Sequence, residues 1–203
     1  MASTTLNAPG FISVRRTVPA ALPLAALGWL LGLTAVAAAD STDDKIAEAL
    51  SAAPPGLKAT ATVSDLDGNV LRPGNGAYTC FPAPEKVAGP MCMDGEWVRW
   101  MDAWANGKPF QAERIGIAYM LAGDAPGGGA SNIEPGATQP TAENDWVVEG
   151  PHLMIILPES EVFEGLPTTP DTEGPYVMWS GTPYAHVMVP VAERPEQRPV
   201  PGN

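Results

Sequence analysis

The segments Pro151-His152-Leu153-Met154-Ile155-Ile156-Leu157 and Tyr184-Ala185-His186-Val187-Met188-Val189 decide how the chain is read. They hold both of its histidines, each followed two residues later by a methionine. Residues two apart on a β-strand project to one face, so each segment is expected as a strand that shows an imidazole and a thioether side by side. Directly opposed residues on neighbouring antiparallel strands have Cβ atoms about 4.5–5.5 Å apart. If the two strands are neighbours, His152, Met154, His186 and Met188 can converge as a four-ligand site, with Met178, Met120 and Met91 as outer or substitute ligands. Thioethers are soft and suit Cu(I), and imidazole suits both copper oxidation states, so the pattern points to copper. A ligating imidazole must be neutral, so affinity is expected to fall as the pH drops through about 6.5. The same residues also read as core. Methionine is a common filler, and both segments are apolar on both faces, as buried central strands are. In that reading the histidines are satisfied by backbone or by a hydroxyl such as that of Tyr184.

Working outward, Tyr176-Val177-Met178-Trp179 turns through Ser180-Gly181-Thr182-Pro183 into the His186 strand, a hairpin. Residues 115–121 form a strongly apolar strand expected at the centre of the sheet. Residues 57–63 alternate in polarity and lead through Asp67-Gly68 into Val70-Leu71, a second hairpin. Asp65-Leu66-Asp67-Gly68-Asn69 has carboxylates two apart before a glycine, as calcium loops do, but lacks the distal glutamate of an EF-hand. Residues 77–81 are a further strand, followed by a Pro/Gly-rich loop to Cys92.

Two helices are expected. Ser41 caps the first, which places Ile46, Ala49, Leu50 and Ala53 on one face before Pro54-Pro55-Gly56 stops it. Asp94 caps the second, over residues 95–106, where Trp97, Trp100, Met101 and Trp104 recur at i, i+3, i+4 and i+7. Its other side, with Glu96, Arg99 and Asp102, is polar. The tryptophan stripe serves either as a core slab or as a platform on which a ligand stacks. The pattern predicts an α+β domain, a mainly antiparallel sheet with one or two helices packed on it.

The ends differ in composition. Residues 1–39 read as a signal peptide, with Arg15 and Arg16, an apolar run and Ala-x-Ala cleavage candidates before Asp40. An uncleaved anchor is the alternative. The domain is expected over residues 40–193 and a disordered proline-rich tail over residues 194–203. The chain carries 11 basic and 23 acidic residues, a net charge of −12. Such a surface repels phosphate backbones and anionic headgroups, so neither nucleic acid nor a membrane beyond the signal segment is an expected partner. A metal ion or small molecule is. Cys80 and Cys92 are the only cysteines. In a periplasmic or secreted protein a lone pair most often closes a disulfide. Two thiolates serving a soft metal between Met91 and Met93 are the alternative.

Residues 123–144, rich in Gly, Pro, Ser and Thr, are longer than most connections in compact domains and are therefore functional or mobile. The chain has no G-x-S-x-G, no H-E-x-x-H, no P-loop and no C-x-x-C. A binding protein is expected rather than an enzyme. Beside copper, one alternative is a small-molecule or protein interaction module built from the 123–144 loop and the tryptophan helix. A hydrolase with an unrecognised site is another.

His152-x-Met154 and His186-x-Met188 resemble the ligand motifs of periplasmic copper chaperones, which implies copper storage or delivery rather than catalysis. Tyr78-Thr79-Cys80, Pro90-Met91-Cys92, Gly150-Pro151-His152 and Gly181-Thr182-Pro183-Tyr184 resemble segments of an uncharacterised family of bacterial secreted proteins. That likeness implies export and one domain.

Overall fold

A computed structural model describes residues 41–84, 88–159, 163–171 and 174–196. The expected signal peptide and residues 197–203 of the expected tail lie outside the described residues. The described elements are α1 (Thr42–Ser51), α2 (Pro55–Lys58), β1 (Thr62–Ser64), β2 (Val70–Arg72), β3 (Tyr78–Phe81), β4 (Met91–Asp94), α3 (Gly95–Ala105), β5 (Gly116–Met120), β6 (Ala130–Ser131), β7 (Trp146–Val147), β8 (His152–Ile156), β9 (Tyr176–Met178) and β10 (His186–Pro190). Eight strands form one sheet in the order β2-β1-β3-β4-β5-β8-β10-β9. Every neighbouring pair is antiparallel except β1 and β3. With three helices this is the expected α+β fold, and β5 lies inside the sheet as its apolar sequence demands. Among the described residues no helix is long and apolar enough to cross a membrane.

Local chemistry sets the ends of the elements. Ser41 accepts the Asp44 N–H while the Asp44 carboxylate takes the Ser41 N–H and hydroxyl, a reciprocal cap that starts α1. Pro55 is the first residue of α2, where its missing N–H costs nothing. That short helix takes up Leu57 and Lys58, so the strand expected from residue 57 begins only at Thr62. Asp65 accepts the N–H groups of Asp67 and Asn69 and the Asn69 side-chain amide. Its carboxylate is thus used up in tightening the β1–β2 turn.

Residues 91–94, expected in a loop, form β4. Cys80 and Cys92 face each other in the β3–β4 register and are bonded. The disulfide therefore joins two adjacent strands, the second of which runs directly into α3. Both sulfurs are on the back face of the sheet, packed with Val63 under Ala49 of α1 and Ala52, which caps it. The thiolate-ligand alternative for Cys80 and Cys92 is removed.

The front face is covered by α3. Asp94 accepts the N–H groups of Glu96 and Trp97 with one oxygen and that of Ile117 with the other, which pins the helix start to β5. Opposite lies Gly116, where a Cβ would come within 3.1 Å of Glu96 Cβ and 3.2 Å of Trp97 Cδ1, so a glycine lets helix and sheet approach. Trp97 and Trp100 are buried here. A tryptophan buries about 150–250 Å², roughly 4–6 kcal/mol of transfer free energy at 25 cal/mol per Å². Glu96, expected on the solvent side, is fully buried and accepts from Arg99 and the Glu113 N–H.

Candidate functional site

The two His-x-Met strands are adjacent and antiparallel, and their front-facing residues lie on a regular grid. Met154 of β8 opposes Met188 of β10. His152 opposes Met120 of β5, and His186 opposes Met178 of β9. The histidines sit at opposite ends of this patch, because His152 lies across from Pro190 while His186 is two residues beyond Met188 in the other direction. Between the patch, α3 and residues 130–138 is a cavity of about 880 Å³. Every methionine among the described residues lines it: Met91, Met93, Met101, Met120, Met154, Met178 and Met188. Its floor is a soft, polarizable surface.

Both histidines are buried, and both bond the same way. His152 Nδ1 is 2.7 Å from the Gly150 carbonyl and His186 Nδ1 is 2.9 Å from the Tyr184 carbonyl. A carbonyl only accepts, so each Nδ1 carries the proton and each Nε2 keeps its lone pair. Neither Nε2 has a hydrogen-bond partner among the described residues. Burial pushes both imidazoles below their ordinary range, His186 to about 4, against the raising effect of the carbonyl contacts. They are neutral acceptors at neutral pH. The proton uptake that a free imidazole shows at about 6.5 is therefore displaced toward acid.

A tryptophan wall closes one side. The His186 ring meets Trp97, Trp100 and Trp179 edge-on, with centroids 5.2, 5.4 and 5.3 Å away. Trp179 stacks on Trp100 at 5.5 Å and on Trp104 at 6.1 Å. It sits at φ 57° on leaving β9, a region that non-glycine residues seldom occupy. Its backbone N–H is held by the Asn132 carbonyl and its indole N–H by that of Ser131. The indole N–H groups of Trp97 and Trp100 are buried without a partner among the described residues.

The 123–144 loop is held by specific contacts. β6 pairs with β7, Trp104 donates to the Pro135 carbonyl, and Ser131 accepts the N–H groups of Ile133 and Glu134. Gly129, at φ 114°, lies against Trp146, whose Nε1 would be 2.4 Å from a Cβ there. The acids of the loop do not gather. Asp124 instead accepts the Glu149 N–H at 2.7 Å, and burial, with help from the Glu149 charge, raises its carboxyl to about 7. Glu149 is buried and accepts from Tyr176 Oη at 2.7 Å and from Arg194 Nε at 2.9 Å. Arg194, expected to open the disordered tail, is thus anchored beside the cavity.

All four residues singled out as ligands line this cavity, as do Met178, Met120 and Met91. Glu149 and Trp179 are site-forming residues that sequence reasoning missed. A lone acid in an apolar stretch, Val147-Val148-Glu149-Gly150, was the signal for the first. Among the described residues no three His, Cys, Asp or Glu side chains stand together as a metal group. No protein-family model, curated protein or solved structure matches the chain.

Proposed function

We propose that this is an exported binding protein that holds cuprous copper on its thioether and imidazole face, for storage or delivery. The observation that carries the reading is the state of the two histidines. Each is neutral, fixed through Nδ1–H to a backbone carbonyl, and left with a free Nε2 lone pair in a cavity floored by methionine. A metal-binding histidine is commonly oriented in this way by its other ring nitrogen. Soft thioethers beside imidazoles favour Cu(I) over harder ions. Export to the periplasm rests on reading residues 1–39 as a signal peptide, and the Cys80–Cys92 disulfide is compatible with it.

Methionine methyl NMR with Ag(I), a redox-inert stand-in for Cu(I), tests the proposal. The methyl signals of Met154 and Met188 are expected to shift on addition of the ion while those of Met91 and Met101 move less. Unchanged methionine spectra in the folded protein would overturn it.

A second reading is favoured by the cavity volume and the unpaired indole donors. About 880 Å³ lies within the range of about 300–1,000 Å³ typical of small-molecule pockets. Trp97 and Trp100 offer N–H groups to a ligand that the chain itself does not supply. Tryptophan emission that responds to an apolar carbonyl compound but not to Ag(I) would select this reading.

A further inference from the structure

We infer, resting on the soft-metal reading above, that the cavity takes two cuprous ions, in separate three-residue sites: His152, Met154 and Met120, and His186, Met188 and Met178. The sheet register is the reason. His152 faces Pro190, and His186 lies four residues from Pro190 along β10. At about 3.3 Å per residue the histidines are roughly 13 Å apart along the strands, with one strand spacing of about 4.8 Å between them as well. Side chains stand roughly perpendicular to a sheet, and a metal-to-imidazole bond is about 2 Å long, so the two rings cannot meet on one ion.

Each histidine does have two thioethers within reach. One is directly across the ladder, Met120 for His152 and Met178 for His186. Such opposed pairs have Cβ atoms about 4.5–5.5 Å apart. The other is two residues along the same strand, about 6.6 Å away. The two groups are related by symmetry. A local two-fold axis normal to the sheet passes between Met154 and Met188, as it does at any directly opposed pair of antiparallel strands. It exchanges His152 with His186, and β5 carrying Met120 with β9 carrying Met178. The equivalence extends to the orienting contact, since each Nδ1 bonds the carbonyl two residues before its own histidine. One thioether, one opposed thioether and one imidazole make a three-coordinate soft site, and the pattern occurs twice.

The surroundings tell the sites apart. His186 is ringed by Trp97, Trp100 and Trp179, whereas His152 lies near Glu149 and Arg194. An ion at the His186 site quenches indole emission by contact, and one at the His152 site does not.

Native mass spectrometry of the purified protein loaded anaerobically with Cu(I), read together with tryptophan emission, tests this. Two ions per chain are expected. His152→Ala should keep one ion and the full quenching, and His186→Ala should keep one ion and lose most of the quenching. Met120→Leu and Met178→Leu, which preserve core volume, should each weaken one ion by about tenfold or more and leave the other unchanged. One ion per chain, lost in either histidine variant, overturns the two-site inference and leaves the copper reading standing. Two ions lost together in either single variant overturn the independence of the sites. A folded protein that takes no ion overturns both.

Discussion

Replacing His186 with phenylalanine should make the protein less sensitive to acid, by an amount the burial of the imidazole sets. The ring is 2% exposed, caged by three tryptophans, and held neutral down to about pH 4. In the unfolded chain the same group titrates at about 6.5. Between these values the unfolded state binds a proton that the folded state refuses, so stability rises with pH and is lost as pH falls. From pH 6.5 to pH 4.5 the loss is about 2 × 1.36, or roughly 2.7 kcal/mol. Asp124 works in the opposite sense, because its folded carboxyl is raised to about 7 and gains protons on folding. The wild-type profile alone therefore mixes two trends, and the difference between wild type and His186→Phe isolates one. Urea unfolding of both proteins in the presence of a chelator, at pH 7.5, 6.5, 5.5 and 4.5, measures it. The gap between them should shrink by about 2.7 kcal/mol, or reverse, between the two extremes. An equal gap at pH 7.5 and pH 4.5 would show that His186 titrates as a solvated group, and the buried neutral imidazole would be refuted.

Three further outcomes follow from the same geometry. Copper affinity should fall at a pH below the value of about 6.5 for a free imidazole, because burial lowers both rings, His186 to about 4; a tenfold loss centred at pH 6.5 in a chelator titration would contradict this. Cys80→Ser/Cys92→Ser should lose about 3 kcal/mol in urea, as a bridge closing a short loop contributes, and a reductant should reproduce the loss in the native protein. Glu149→Gln should cost about 3–5 kcal/mol by leaving Arg194 beside an uncharged partner. Cleavage after Glu193 by a glutamate-specific protease should accelerate in that variant, and an unchanged rate would argue against the anchored tail.

Much of this was legible in the chain. The short apolar run from His152 to Leu157 marks a buried strand, and the 3.6-residue stripe of Trp97, Trp100 and Trp104 marks a helix whose cap, Asp94, is equally plain. The register was not. Leu153 and Ile155 on the other face are as apolar as Met154 and Ile156, so one-sided burial does not select a pairing, and partners thirty residues apart settle it. That is why one four-ligand site could be drawn from the motif while the sheet sets the histidines apart. Glu96 and Glu149 were hidden for another reason. A carboxylate reads as solvent-facing until tertiary structure brings its distant partners, the Glu113 N–H and Arg114 to Glu96 and Arg194 to Glu149. Trp179 was hidden in a turn, where local pattern says nothing about which way a ring points. β4 lay behind the prolines and glycines that precede it.

The most direct test of the central claim is anaerobic competition for Cu(I) against a chromophoric chelator. It compares the native protein with His152→Ala/His186→Ala and with Met154→Leu/Met188→Leu. The native protein should strip copper from the chelator, the histidine variant should not, and the methionine variant should fold normally and bind at least about tenfold more weakly. A native protein that stays folded and never competes would make the histidines and methionines a core, and the cavity a site for an organic ligand.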